Sequence, residues 1–189
     1  MSALPKKFYS PEEYLALERA AEYKSQYYAG EIFAMAGGSP RHNVILLNIG
    51  AELRAKLKGR DCTVFPSEQR LKIPATGLYT YPDVSVVCGE AQFDDKDLLL
   101  NPLLLVEILS DSTEAFDRGK KFEHYRRIPT LREFLLIAQD RCKIDQHAKQ
   151  EDGKWVLLSE VSDMQSLIKL PSLNCELAVA EIYYQVKFE

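Results

Sequence analysis

An aliphatic run near the middle of the chain constrains the fold more than any other feature. The segment 103–109 reads Leu-Leu-Leu-Val-Glu-Ile-Leu, and a nearly continuous apolar run of this length is typical of a strand covered on both faces. Such a strand lies inside a sheet that other elements cover. The chain has 189 residues, which favours one domain over residues 1–189, with at most a small subdomain.

Composition narrows the class of protein without selecting a function. The hydrophobic fraction is 46% and the charged fraction 28%, which is ordinary for a globular protein. The formal net charge of −4 is not that of a protein that holds nucleic acid through a large basic face, although a local cleft can still be basic. No apolar run approaches the ~20 residues that span a membrane, so we expect no membrane partner.

The cysteines predict a reducing compartment. They are widely spaced, and no secretory segment precedes them, so we expect reduced thiols in a cytoplasmic protein. The four are Cys62, Cys88, Cys142 and Cys175.

The first third of the chain predicts two helices around a hairpin. Ser10-Pro11-Glu12-Glu13 is a capping box that opens a helix to about Glu22. Two short strands surround a glycine turn in 26–33, and the Gly-Gly-Ser-Pro segment at 37–40 begins a second helix that ends near Gly59. We expect the apolar stripe of this second helix to contain Val44, Leu47, Ala51, Leu53 and Leu57.

The rest of the chain predicts a sheet with one more helix. Strands are expected at 63–65, 69–73, 79–88, 103–109 and 134–138. Ser110 to Thr113 offers capping residues for a helix to about Arg127, and a hairpin surrounds Asp152-Gly153. A short strand and a short helix close the chain. The fold class is therefore α/β, with a central mixed sheet flanked by helices, an N-terminal helix and hairpin, and a C-terminal hairpin.

Glu107 is the first candidate site residue because it interrupts the aliphatic strand. An unpaired buried carboxylate costs several kcal/mol, roughly, so the residue needs a cation, hydrogen-bond donors or a metal. A buried salt bridge is an equally good interpretation of Glu107 alone.

Asp83 is the second candidate. It follows Pro82 at the start of another apolar strand, where it either caps its own turn or faces a neighbouring strand. Two acids on neighbouring buried strands can converge, and a cation between them relieves their repulsion. Mg²⁺ commonly takes one or two carboxylates, keeps several waters and bridges to a phosphate oxygen. Asp83 and Glu107 are therefore candidate metal ligands.

Lys121 is the candidate for the basic group that a hydrolytic metal site needs near the attacking water. It lies about 12 Å along the helix that follows the Glu107 strand, and Glu107 lies about 10 Å back from that strand's end. An antiparallel helix would bring the two groups to one level. Asp117, one turn earlier, would orient the ammonium, although an ordinary surface Asp–Lys pair is the alternative.

Several other polar residues carry weaker signals. His42, near the start of the second helix, would contact a phosphate or act as an acid or base, or would simply cap or pack. Glu31 is a possible third acid, with an exposed hairpin position favoured. Glu68 and Gln69 would line the cleft or mark an exposed strand end. His124 and His147 have no partner at zinc-ligand spacing. Tyr23, Tyr27 and Tyr28 would stack bases or, more commonly, pack.

The ordered series of these motifs resembles the bacterial Uma-two family of restriction-endonuclease-like proteins, in the PD-(D/E)xK superfamily. The series consists of Tyr81-Pro82-Asp83-Val84, Val106-Glu107-Ile108-Leu109-Ser110, Asp117-x-x-x-Lys121-x-x-x-Tyr125 and Leu131-Arg132-Glu133-Phe134, with 30–35 and 41–43 upstream. The resemblance covers nearly the whole chain.

This resemblance implies a metal-dependent nuclease core. Asp83 takes the aspartate role and Glu107 the second acidic role, with a backbone carbonyl after Glu107 as a further ligand. Leu109 stands where the superfamily pattern has lysine, so Lys121 supplies the amine from the helix. His42 and Asp117 support the site.

The expected function is Mg²⁺- or Mn²⁺-dependent endonuclease activity on DNA phosphodiesters. Two alternatives stay open: a catalytically silent nuclease-like module that binds nucleic acid or a partner protein, and a hydrolase of small phosphodiesters. A double-strand cutter would be a homodimer, but the sequence shows no interface.

Overall fold

A computed structural model describes residues 7–110 and 113–188. The capping box is confirmed: the Glu13 backbone N–H donates to Ser10 Oγ at 3.2 Å, and the Ser10 N–H donates to the Glu13 carboxylate at 2.7 Å. Helix α1 spans Pro11–Ala20. The predicted hairpin follows, with its turn residues at positive φ, Ala29 at 50° and Gly30 at 87°.

Helix α2 spans Pro40–Lys56, and its N-cap Ser39 accepts the His42 N–H at 3.1 Å. The predicted apolar stripe of this helix is right for Leu53 and Leu57, which are 0% and 2% exposed, and wrong for Leu47 and Ala51, which are exposed. The buried row is Ile45, Ile49 and Leu53, whereas Leu47 is 72% exposed. Residues four apart share a helix face, and the row that begins at Ile45 is the one that meets the sheet.

The strands form two six-stranded sheets and a two-stranded ribbon, where the sequence predicted one central sheet. The first sheet has the order β2-β1-β5-β4-β8-β7 and the second β12-β11-β10-β9-β6-β3. The strand bounds are β1 Ser25–Tyr28, β2 Glu31–Ala34, β3 Cys62–Pro66, β4 Leu71–Ile73, β5 Leu78–Thr80, β6 Val84–Cys88, β7 Phe93–Asp94, β8 Leu98–Leu99, β9 Leu104–Leu109, β10 Glu133–Ala138, β11 Ile144–Lys149, β12 Trp155–Val161, β13 Leu167–Leu170 and β14 Cys175–Ala178. The hairpin of β11 and β12 was predicted, but β7 and β8 were not.

The predicted strand 79–88 is divided between the two sheets. Strand β5 ends at Thr80 in the first sheet, and β6 begins at Val84 in the second. Proline has no N–H to contribute to a ladder, so Pro82 marks the crossing point between the sheets. Asp83 therefore lies at the entrance to the second sheet.

Strand β9 is the central strand that the aliphatic run predicted. It pairs antiparallel with β6 and parallel with β10, and all its residues are buried. Val106 and Ile108 belong to the core beneath α2, and Leu105 and Leu109 belong to the core on the opposite face. A sheet with both pairing senses and helices on its faces confirms the predicted α/β class.

The connection from β9 to β10 is helical but irregular. It consists of α3 (Glu114–Phe116), a π-helical turn (Asp117–Lys121) and α4 (Phe122–Tyr125). The predicted helix to Arg127 therefore ends two residues early. Of the four proposed capping residues, Thr113 makes no side-chain cap bond to the helix, the Ser110 carbonyl accepts the Glu114 N–H at 2.9 Å, and Asp111 and Ser112 lie outside the described residues. The chain closes with a 3₁₀ turn (Pro171–Leu173) and α5 (Val179–Ile182).

The prediction of four reduced cysteines is wrong for two of them. Antiparallel pairing of β3 with β6 sets Cys62 opposite Cys88, with Cα atoms 4.0 Å apart, and the two form a disulfide. Cys142 and Cys175 are free and half-buried. Within residues 7–110 and 113–188, no helix is long and apolar enough to cross a membrane.

Candidate active site

Asp83 is attached to the strand that carries Glu107. Its Oδ2 atom accepts the backbone N–H of Ile108 at 2.7 Å. The pairing of β6 with β9 ends one residue later, where Val84 faces Val106. The Asp83 side chain therefore takes the place of a backbone carbonyl as the acceptor for the Ile108 N–H. Asp83 therefore binds the neighbouring strand instead of capping its own turn, and it lies beside Glu107.

Glu107 is held by two donors from the helical connection. Its Oε1 atom accepts Lys121 Nζ at 2.8 Å and the Tyr125 hydroxyl at 2.5 Å. The residue is 3% exposed. Burial raises the pKa of Glu107 to about 8, and the nearby Lys121 ammonium opposes that rise.

Lys121 bridges two carboxylates at the end of the π-helical turn. Its ammonium lies 2.8 Å from Glu107 and 3.1 Å from Asp117 Oδ1, and all three side chains are almost fully buried. The surface-pair alternative for Asp117 and Lys121 is therefore excluded. Burial alone would lower the pKa of Lys121, but the Glu107 and Asp117 carboxylates outweigh it and raise the pKa above the usual value. Lys121 is a fixed positive charge.

His42 reaches the same place from the opposite face of the sheet. It lies in the first turn of α2, and its Nε2 atom is 3.2 Å from Asp83 Oδ2. Burial lowers the pKa of His42, and the bond to Asp83 more than compensates, so the pKa is raised. A Cβ at Gly38 would lie 2.6 Å from His42 Nδ1, so the ring occupies space that only glycine leaves at that position.

The predicted site residues all line one cleft of about 1300 Å³: His42, Asp83, Glu107, Asp117 and Lys121. The cleft is lined by six Asp or Glu residues and four Lys or Arg residues, so acidic side chains outnumber basic ones in it. Glu68 also lines it, with its side chain 77% exposed. Gln69 instead donates to the carbonyls of Arg70 and Asp97.

The remaining sequence candidates lie elsewhere or pack. Glu31 is half-buried on β2, outside the residues that line the cleft. His124 lies edge-on against Tyr28, with ring centroids 4.6 Å apart, and His147 lies 4.6 Å from the Phe122 ring.

Sequence reasoning missed two parts of this cleft. The first is the Tyr125 hydroxyl on Glu107; its position four residues after Lys121 was the available signal. The second is a buried network on the other wall, where the Tyr81 hydroxyl donates to Glu18 at 2.8 Å and accepts from Arg70 Nε at 2.7 Å. Glu18 and Tyr81 are 63 residues apart, and no local pattern joins them.

The residues of the cleft fit Mg²⁺ or Mn²⁺ better than a metal that needs a protein cage. Across the described part of the chain, no cluster of three or more His, Cys, Asp or Glu side chains is arranged to hold a metal by itself. Mg²⁺ needs only one or two carboxylates with waters, and Asp83 and Glu107 provide hard oxygen donors. Three acids, counting Asp117, surround the single ammonium of Lys121, and a divalent cation would offset their excess charge.

The fold places the chain in the restriction-endonuclease-like class of α/β proteins. The chain belongs to the Uma2 family, whose model carries the description "Putative restriction endonuclease" and matches residues 11–180. Two proteins of Synechocystis sp. are similar to it. Uncharacterized protein slr1290 is 39% identical, with 95% of this chain and 93% of the relative covered. Uncharacterized protein sll1609 is 38% identical, with 80% and 86% covered.

A solved structure shares the fold. It is described as a "putative nuclease belonging to DUF820" from Anabaena variabilis, and it matches with a TM-score of 0.72 and 20% identity, covering 91% of this chain and 96% of that one. The predicted family and fold class are thus confirmed.

Proposed function

We propose that this chain is an endonuclease that hydrolyses DNA phosphodiester bonds with Mg²⁺ or Mn²⁺ held by Asp83 and Glu107. The observation that carries the proposal is the buried contact of Glu107 with Lys121, beside Asp83, at the wall of an open cleft. When bound, the metal lowers the pKa of a water and neutralises charge on the scissile phosphate.

Lys121 provides the amine that Leu109 cannot. Its side chain comes from the helical connection, and Asp117 and Glu107 fix the ammonium between them. A fixed cation beside the metal ligands orients an attacking water and stabilises the negative charge that develops on the phosphate. Leu109 is 3% exposed and packs in the core, so the strand position is structural here.

Tyr125 and His42 hold the two acids in place. The Tyr125 hydroxyl and Lys121 together fix one oxygen of Glu107. The Ile108 N–H and His42 both contact the Oδ2 atom of Asp83. Preorganised donors of this kind spare the site reorganisation during the reaction.

The excess of carboxylates in the cleft makes the cation a condition for DNA binding as well as for chemistry. An acidic cleft repels a phosphate backbone, and a bound divalent cation reverses that repulsion locally.

The test is cleavage of plasmid and single-stranded DNA in Mn²⁺. Asp83→Asn keeps an oxygen for the Ile108 N–H but removes the charge, and we expect it to lower the rate about 100-fold or more. Lys121→Met tests the role of the ammonium. Lys120→Met is its matched control, because Lys120 is the exposed neighbour. Cleavage undiminished in Asp83→Asn would sink the site assignment, and circular dichroism checks that each variant folds.

The silent module is the second candidate, favoured by the two acids that already engage Lys121. DNA binding without cleavage under any divalent metal would support it. Cleavage of bis(4-nitrophenyl) phosphate but not of DNA would indicate the small-diester hydrolase instead.

A further inference from the structure

Three tyrosines follow α1, and the structure assigns them different environments. Tyr27 is 5% exposed and stacks on Tyr14, with ring centroids 5.0 Å apart. Tyr28 is 41% exposed and meets His124 edge-on. Tyr23 is 70% exposed, and within residues 7–110 and 113–188 no ring contact or hydrogen bond engages it. Packing thus accounts for Tyr27 and Tyr28 but not for Tyr23.

Tyr23 lines the same cleft as the metal-site acids. It lies in the turn between α1 and β1. The turn begins where the Ala21 N–H donates to the Glu18 carbonyl at 3.4 Å, and its other end, at Lys24 and Ser25, is anchored by hydrogen bonds. The Glu18 carboxylate accepts the Ser25 N–H at 3.0 and 3.1 Å, and the Met35 N–H donates to the Lys24 carbonyl at 3.0 Å. A fixed turn therefore presents an open aromatic face to the cleft, with little backbone entropy left to lose on binding.

Lys24, the next residue, lines the same cleft and brings a cation to it, 5.4 Å from the centre of the Tyr81 ring. Its ammonium lies 2.8 Å from Glu68 and 3.1 Å from the Ser67 carbonyl, and its side chain is 32% exposed. The Glu68 side chain is 77% exposed, and an ion pair at the surface is weak. A phosphate can therefore replace Glu68 as the partner of Lys24.

We propose that Tyr23 is the stacking platform for an unpaired base of the substrate, with Lys24 on an adjoining phosphate, so that the preferred substrate is single-stranded DNA or a single-stranded segment. An open aromatic face and a cation in the same cleft fit a nucleotide whose base is open on one side. Bases inside a duplex are stacked on each other and present only their edges in the grooves. This inference rests on the proposed function for the identity of the cleft.

The test measures binding without turnover. A fluorescent single-stranded oligonucleotide and a fully paired, blunt-ended duplex of equal length are titrated in Ca²⁺, and anisotropy gives each Kd. We expect Tyr23→Ala to weaken single-strand binding about 5- to 150-fold, which corresponds to one base–aromatic stack. Tyr23→Phe keeps the ring and should stay within about twofold of the wild type.

Tyr184→Ala is the matched control, because Tyr184 is 58% exposed and lies outside the lining of the cleft. It should change neither Kd. Unchanged single-strand binding in Tyr23→Ala would overturn the inference. So would an equal loss on the duplex, or a wild type that does not bind the single strand.

These outcomes are separate from failure of the proposed function, which is read from cleavage by Asp83→Asn. If the wild-type protein binds the single strand through Tyr23 but cuts no DNA, the stacking role of Tyr23 stands and the proposed endonuclease function fails.

Discussion

Replacing Lys121 with methionine should destabilise the protein far more than replacing its neighbour Lys120. Methionine keeps most of the apolar stem but leaves Glu107 and Asp117 without their shared cation. The side chains of Lys121, Glu107 and Asp117 are 6%, 4% and 4% exposed, so water cannot take over the role of the ammonium. Removing one partner of a buried ion pair costs ~3–5 kcal/mol, against ~0–1 kcal/mol at the surface.

This cost is large for a domain whose net stability is ~5–15 kcal/mol. Urea unfolding followed by circular dichroism measures it. With a denaturant slope of ~2 kcal/mol per molar, a loss of ~4 kcal/mol moves the midpoint by roughly 2 M. The control Lys120→Met should leave the midpoint within ~0.3 M, since Lys120 is exposed.

A second substitution isolates the pair. Adding Glu107→Gln to Lys121→Met removes a buried charge along with its partner, so the double variant should lose less stability than the sum of the two single variants, by at least ~1 kcal/mol. A Lys121→Met loss below ~1 kcal/mol, equal to that of Lys120→Met, would refute the reasoning, because the ammonium would then be held no more tightly than a surface charge.

Three further predictions follow from single contacts. Gly38→Ala should lower kcat/KM for Mn²⁺-dependent cleavage by up to about 100-fold, because its Cβ would displace His42, whereas Gly37→Ala meets nothing within 4 Å and should leave the rate unchanged. Tyr125→Phe should lower the free energy of unfolding by ~1.5–3 kcal/mol, the usual contribution of a hydrogen bond to a charged group, measured by urea titration; a loss under ~0.5 kcal/mol would contradict the Glu107 contact. Cys88→Ser opens a disulfide with a sequence separation of 26 residues and should cost about 3.5 kcal/mol; thiol titration of the unfolded wild type should find two free thiols and not four.

Local sequence signals determined the elements whose causes are local. The capping box of α1, the glycine turn after β1 and the hairpin of β11 and β12 all depend on residues a few positions apart, and the structure has each of them. The central position of β9 also followed from the sequence, because a strand that is apolar on both faces has to pack against other elements on both faces.

The sequence pointed to the members of the cleft but not to their contacts. A carboxylate in an aliphatic strand demands a partner, and this requirement identified Glu107 before any neighbour was known. Helix spacing then brought Lys121 to the same level. That Tyr125 binds the same oxygen of Glu107 depends on how the π-helical turn seats the helical connection against β9, which no single-residue pattern specifies.

Tertiary structure alone decided the features that depend on distant pairing. Pro82 would interrupt strand pairing whether the chain stayed in one sheet or moved to another. Only the assembled sheets show that the chain passes from the first sheet to the second there. Cys62 and Cys88 resemble isolated thiols until antiparallel pairing sets them side by side. The sequence around Tyr23 and Tyr27 does not distinguish their roles, yet Tyr27 is buried and Tyr23 lines the cleft. Sequence fixes which chemistry a side chain carries and how its own turn or strand forms, while its partners depend on long-range packing.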